Sequence, residues 1–448
     1  MNRRARLFLS IATTTIVMLC STAPASGATA SPSAWQLDSY CRGCHTTLHN
    51  QWKTSMHAQA FEDEIYQKTL NLAVTDLGGP GNADAKALQV FCLSCHVPIG
   101  KLANDLPPTT ASSATAISCD FCHTVSGTTG IGNASFINTP GDVKRGPYFD
   151  AISPAHDTTL STLHTQAEFC GMCHDVYHPT NGIPLEQTYT EWKNGPYAAK
   201  NVQCQHCMMG EMRDTQAADS GPKRKVVFAH FFAGGNFIKG NKDEALKRLK
   251  SAATVKLVTD KGNAKPGDAV RIDVTVTNSG AGHKIPTGLT ETRDMRLVIM
   301  AISATGEQTK VFEEKFGTVM EDAAGKHDGT VPVWRAVKIF SDNRLAPKET
   351  RVYNETFTIP KGAKASYRFA AALKYSPANQ ESTDAISMKR LPYTVMASAA
   401  QTIVLPGKLP VAPVKSTRSV PWFVWVGIAA VIVIFVAGSW MIRRKSEA

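Results

Sequence analysis

Cys41-Arg42-Gly43-Cys44-His45 sets two thiols three residues apart and an imidazole directly behind the second. The same spelling returns at Cys92-Leu93-Ser94-Cys95-His96, Cys119-Asp120-Phe121-Cys122-His123 and Cys170-Gly171-Met172-Cys173-His174. The spacing suits one chemistry: two thiols add to the two vinyl groups of a haem, and the adjacent imidazole reaches the iron. At this chain's own Cys and His frequencies chance supplies roughly 0.01 such motifs, so four together are not accidental. A disulfide framework or structural zinc on the Cys pairs would leave the repeated histidine unexplained.

A fifth pair, Cys204-Gln205-His206-Cys207-Met208, has the thiols without the following histidine. Three readings stay open there: a haem with Met208 as thioether ligand, a haem with another ligand or an open position, and an unmodified disulfide. A low-spin haem also needs a second axial ligand. Of thirteen histidines nine lie outside the motifs, and context raises four of them. His57 follows Trp52-Lys53-Thr54-Ser55-Met56, and His156 stands shortly before the fourth motif. His230 is flanked by Phe228, Phe231 and Phe232, and His283 sits in the Gly- and Pro-framed loop Gly280–Gly288. His164 and His178 are weaker candidates, and His327 reads as solvated.

All ten cysteines after residue 30 lie between Cys41 and Cys207, which marks a composition boundary near Leu249. Residues 31–250 read as a multihaem cytochrome c domain, mainly α and irregular, with helices over Gln51–Leu72 and Asp243–Ala253; covalently held haem would supply the core that the apolar pattern lacks. Residues 251–406 read as an antiparallel β-sandwich of immunoglobulin-like type. Seven alternating runs carry that expectation: Thr254–Val258, Val270–Thr277, Arg296–Ile302, Lys310–Phe316, Arg351–Ile359, Tyr367–Lys374 and Thr394–Leu405.

The ends read as topology. Residues 1–25 have the basic start, apolar run and small-residue exit of a signal peptide, with cleavage as late as residue 30. A linker over 407–420 leads to Pro421–Ile442, long enough as a helix of about 33 Å to span a bilayer. The cations of the tail 443–448 then predict a single pass through the inner membrane with the haem and β domains outside, facing the periplasm or cell exterior. The formal charge of +11 is mostly topology, because removing Arg3, Arg4, Arg6, Arg443, Arg444, Lys445 and Glu447 leaves 42 basic against 36 acidic residues. Haem propionates would offset the remainder, so the basic balance carries no nucleic-acid reading.

The combined motifs resemble the multihaem cytochromes c of the cytochrome c-552/c-554 type, related to the haem modules of hydroxylamine oxidoreductase. The likeness rests on the first motif followed by Trp52, Ser55, His57 and Ala58, on Phe169-Cys170-Gly171-Met172-Cys173-His174-Asp175, on Thr188-Tyr189 with Glu191-Trp192, and on the fifth pair and the His230 and His283 segments. It implies haem c at each motif and distal ligation by His57, His156, His230 and His283. Similar proteins usually place His-Met after the fifth pair, where this chain has Met208-Met209.

The leading functional expectation is an electron carrier rather than an enzyme: a membrane-anchored relay in a respiratory chain, handing electrons to redox partner proteins. Two alternatives come from other classes. One is a haem enzyme acting on a small nitrogen or sulfur species at Cys204/Cys207. The other is a quinol-oxidising subunit that works with a partner.

Overall fold

The structure is a computed structural model and describes residues 30–406 apart from Thr330. The expected signal peptide over 1–25, the linker over 407–420, the span over 421–442 and the tail lie outside the described residues. By contact the chain divides into two units, Met1–Cys173 with Cys204–Phe232, and His174–Gln203 with Ala233–Ala448. The division departs from the composition boundary near Leu249, because 174–203 and 233–250 group with the strands.

The first unit is built from short helices and small apolar clusters. Its longest elements, Glu64–Asp76 and Ala83–His96, pack through Leu70, Val74, Ala85, Leu93 and Val97. Asn82 starts the second of these by accepting from the backbone N–H of Asp84 and Ala85, the usual work of an N-cap. The single helix expected over Gln51–Leu72 is two helices, Thr46–Lys53 and Glu64–Asp76. Asp63 is the reason, since its carboxylate accepts from Ile65 N at 3.2 Å and opens a new helix. Between them the chain turns, and Ser55 Oγ accepts from Ala58 N at 3.3 Å.

The thiols of four of the five Cys pairs ride on or beside single turns: Asp38–Arg42, Cys119–Thr124, Ala167–Gly171 and Cys204–Met208. Helices this short are not stable by propensity. They are pinned by long-range bonds instead. Asp38 Oδ1 accepts from Cys119 N at 2.8 Å, and Gln205 Nε2 donates to the carbonyls of His164 and Gln166 at 3.1 and 2.8 Å.

The second unit holds two antiparallel sheets. Three strands run in the order Thr350–Thr358, Ala269–Thr277, Thr254–Thr259, and four in the order Gln308–Phe316, Asp294–Ser303, Ser366–Ser376, Thr394–Val404. Each corresponds to one of the seven sequence runs. Alternation is the cause: Val270, Ile272, Val274 and Val276 are fully buried while their neighbours point outward. Both sheets contribute to one core, in which Leu297, Ile299, Phe316, Phe369 and Leu373 are enclosed, each worth about 1.5–3 kcal/mol. A further hairpin, Thr318–Asp322 with Ala336–Asp342, was not expected from the sequence. It packs Met320 and Ala336 against Leu185, which explains why residues 174–203 belong to this unit.

The fold class is corrected in one respect. Among the described residues no helix is long and apolar enough to cross a membrane. The two longest, of 13 and 14 residues, fall short of the roughly 20 apolar residues a span needs. Among the described residues the architecture is therefore a cytochrome-like unit and a β-rich unit.

Glu291 is 4 % exposed, and neither carboxyl oxygen meets a partner from another residue. Burial pushes its pKa up to about 7, although Arg293 opposes the shift. The folded chain thus keeps a proton that the unfolded chain releases near 4.5, so the group's contribution is full below that pH and lost as pH rises to 7. Glu291→Gln should match the parent at pH 4 and exceed it at pH 8, by on the order of 2–3 kcal/mol, in denaturant titrations followed by circular dichroism.

Candidate haem-binding site

Each motif imidazole is oriented by a hydrogen bond from Nδ1. His45 donates to Ala217 O at 2.8 Å, His96 to Ala60 O at 2.8 Å and His123 to Arg145 O at 2.6 Å. His174 instead meets Oε1 of Glu186 at 3.3 Å. These oxygens accept and cannot donate, so the proton sits on Nδ1 and Nε2 carries the lone pair. A metal-bound imidazole has that form.

Three of the histidines expected on the opposite side share the pattern. His156 donates to Asp157 O at 2.9 Å, His230 to Phe228 O at 3.0 Å and His283 to Lys284 O at 2.8 Å. His45 and His156 have ring centres 6.4 Å apart with planes at 23°, and His123 and His230 also stand 6.4 Å apart, at 19°. That separation has a chemical meaning. Ring bonds of about 1.35 Å put each atom about 1.15 Å from an imidazole's centre, and a metal–imidazole bond is about 2.0–2.1 Å. Two imidazoles on one iron therefore have centres about 6.4 Å apart by the same geometry.

In the second unit His283 has Glu186 and His174 among its charged neighbours, and burial holds its pKa below the ordinary range. Its loop is held by a buried cluster. Glu191 and Arg344, with side chains 7 % exposed, pair at 2.7 Å; Glu191 Oε2 accepts from Lys284 N at 3.0 Å, and Lys284 Nζ meets Asp342 at 2.9 Å. Behind His174, the Asp175 carboxylate accepts from Thr190 N at 3.1 Å and also from its hydroxyl, pinning the helix Thr188–Lys193.

The remaining candidates are placed as follows. His57 lies against Phe232, ring centres 4.5 Å apart. His164 carries the other tautomer: Nε2–H donates to Cys122 O at 2.9 Å while Nδ1 bonds Ser161 Oγ at 2.8 Å. His178 also accepts on Nδ1, from Thr180 Oγ1 at 3.1 Å and Thr180 N at 3.4 Å. Neither offers an Nε2 lone pair. His327 is exposed and stacks on Phe340 at 3.8 Å.

The thiols draw the motifs together. Cys41 hydrogen-bonds Cys119, Cys95 bonds Cys173 and Cys170 bonds Cys204. Burial pushes Cys92 and Cys122 up to about 12, the opposite of a reactive redox thiol. No disulfide joins Cys44, Cys207 or any other of the ten. Met208 ends the turn Cys204–Met208 and is half-buried.

These residues fit haem and not a bare ion. Among the described residues no three His, Cys, Asp or Glu converge on a point where a metal could sit, whereas the paired imidazoles would hold an iron already carried by a macrocycle. Sequence reasoning passed over three residues that line this machinery. Glu186 carried no motif. Tyr66 stacks on His96, with ring centres 3.6 Å apart and planes at 5°. His49, 8 % exposed, has a buried Nδ1 with no hydrogen-bond partner and lines a recess of about 320 Å³ with Arg42, Trp52 and Lys53. Its place four residues after His45 on one helical turn was the available signal.

The profile of the family described as cytochrome c554 and c-prime matches residues 40–124. The penta-heme cytochrome c552 of Thermochromatium tepidum has the same fold, with a TM-score of 0.61 and 22 % identity over 84 % of this chain and 99 % of that one. Residues 40–124 thus carry that family's signature, and the chain is similar to the multihaem cytochromes c of the c-552/c-554 type. The sporulation control protein Spo0M of Bacillus subtilis aligns over 35 % of this cytochrome and 50 % of its own chain, at 13 % identity and a TM-score of 0.19, which carries no argument. No curated protein matches the sequence.

The tautomers of the cytochrome's histidines make a sharp expectation. His156→Ala and His230→Ala should each convert one low-spin ferric haem to high spin in the electron paramagnetic resonance spectrum. His164→Ala should leave the count of low-spin signals unchanged.

Proposed function

We propose that this cytochrome is an exported electron carrier of a respiratory chain, working in the periplasm between redox partner proteins. The observation that supports the reading is the pair of imidazole couples at 6.4 Å, His45 with His156 and His123 with His230. Filling both axial positions leaves no place for a substrate, which suits electron passage rather than catalysis.

The groups that would hold the cofactor are the ten motif thiols and the imidazoles of His45, His96, His123 and His174, with His156, His230 and His283 as further imidazole donors. Haem, when bound, supplies one-electron iron chemistry. The chain's own residues orient the ligands through Nδ1, set Phe232 edge-on against His230, and pack the attachment sites side by side through the three thiol contacts. We count Cys204 and Cys207 as a fifth attachment site, with the Met208 thioether next in sequence. Five Cys pairs and the likeness in fold to a protein described as penta-heme support that count.

The competing reading, an enzyme acting at the atypical fifth site, is tested together with the first. In anaerobic potentiometric titration the protein should take up at least four electrons in one-electron steps, with spectra unchanged by nitrite, hydroxylamine or sulfite. A spectral shift or turnover with one of those species would transfer the protein to the enzyme class.

A further inference from the structure

Three motif imidazoles lean on a peptide oxygen, and the fourth leans on a carboxylate. The difference is built into the backbone. Glu186 ends the short strand Pro184–Glu186, which pairs antiparallel with Val176–Tyr177, and Glu186 stands directly across from Val176, two residues beyond His174. A residue twelve positions away in sequence is thereby returned to the imidazole. Its side chain is 15 % exposed, so solvent screens it only in part.

The carboxylate is itself held. Oε1 of Glu186 accepts from Thr188 Oγ1 at 3.0 Å, and Thr188 Oγ1 meets Thr287 Oγ1 at 2.6 Å. A chain of bonds from Thr287 through Thr188 and Glu186 to His174 fixes the acceptor before any iron is present. Hydrogen bonds to a charged acceptor are about twice as strong as those between neutral groups. They also make a ligating imidazole more basic, because negative charge drawn onto Nδ1 strengthens donation from Nε2.

We propose that Glu186 is a positioning residue that sets the potential of the fourth haem, holding it below the haems of the first three motifs. A negative charge one imidazole away from iron stabilises the ferric state, which carries one more positive charge than the ferrous, and so lowers the potential. The peptide oxygens behind His45, His96 and His123 are dipoles without net charge and exert the smaller pull. The inference rests on haem attachment at Cys170 and Cys173, as proposed above.

Glu186→Gln retains an acceptor oxygen and removes the charge. In the full-length protein, potentiometric titration should show one midpoint rising by a tenfold change in the ferric-to-ferrous ratio, 59 mV for one electron, with the others unmoved. The low-spin signal of that haem should shift in the paramagnetic resonance spectrum. Thr188→Val, which removes the hydroxyl that steers Glu186, should raise the same midpoint by less. Intact mass measured on the same samples separates the two levels of the claim: a parent protein without haem at the fourth motif would remove the attachment reading, whereas a full haem count with unmoved midpoints in both variants would overturn the role of Glu186 alone. If Glu186→Gln loses the haem, the Thr188→Val midpoint decides, and no rise there overturns the proposal.

Discussion

A hydrogen bond from imidazole Nδ1 to a fixed oxygen is the interaction on which the rest of this molecule turns. It selects the tautomer, aims Nε2 and holds the ring, so seven histidines are ready for a metal before one arrives. For three of the motif histidines the oxygens come from distant parts of the chain, Ala217 for His45, Ala60 for His96 and Arg145 for His123, whereas His156, His230 and His283 use carbonyls within two residues. Much of the irregular structure in the first unit can be understood as the scaffolding that brings those carbonyls to those rings. A regular helix or sheet would have spent the same carbonyls on its own ladder.

That constraint explains why the first unit has such small apolar clusters. Its backbone is arranged around ligand geometry rather than around a continuous core, and the flat apolar body of the cofactor supplies what side chains do not. The second unit follows the opposite logic. Its two sheets bury alternating Val, Ile, Leu and Phe into one core, and on that rigid base it carries His174, Glu186 and His283. The ion cluster of Glu191, Arg344, Asp342 and Lys284 secures the loop of His283. Removing one member of a buried pair of this kind typically costs about 3–5 kcal/mol, because the other charge is left stranded.

The legibility of the sequence was uneven, for physical reasons. The haem motifs were plain because covalent attachment demands three residues at fixed spacing. The seven strands were plain because a sandwich demands period-two burial. The break at Asp63 and the helix Ala83–His96 were hidden, since each depends on a single N-cap side chain that competes with a helical pattern on both sides. The hairpin Thr318–Asp322 with Ala336–Asp342 was hidden because its acidic and basic residues mask the alternation. The spanning helix expected from the apolar run 421–442 lies outside the described residues, and among those no helix is long and apolar enough to cross a membrane. The feature that separates His156 and His230 from His164 is a tautomer, and that of His164 is set by the distant Cys122 carbonyl, which no local pattern records. Glu186 was invisible for the same reason: its register opposite Val176 is a property of the paired strands.

The central claim is that the Cys-x-x-Cys-His lattice is an array of haem attachment sites. Intact mass of the mature protein, denatured under reducing conditions so that only covalently bound groups remain, tests it most directly. The account predicts the chain plus five haems. Four would place Cys204 and Cys207 outside the set, and fewer than four, or the mass of the bare chain, would contradict the account.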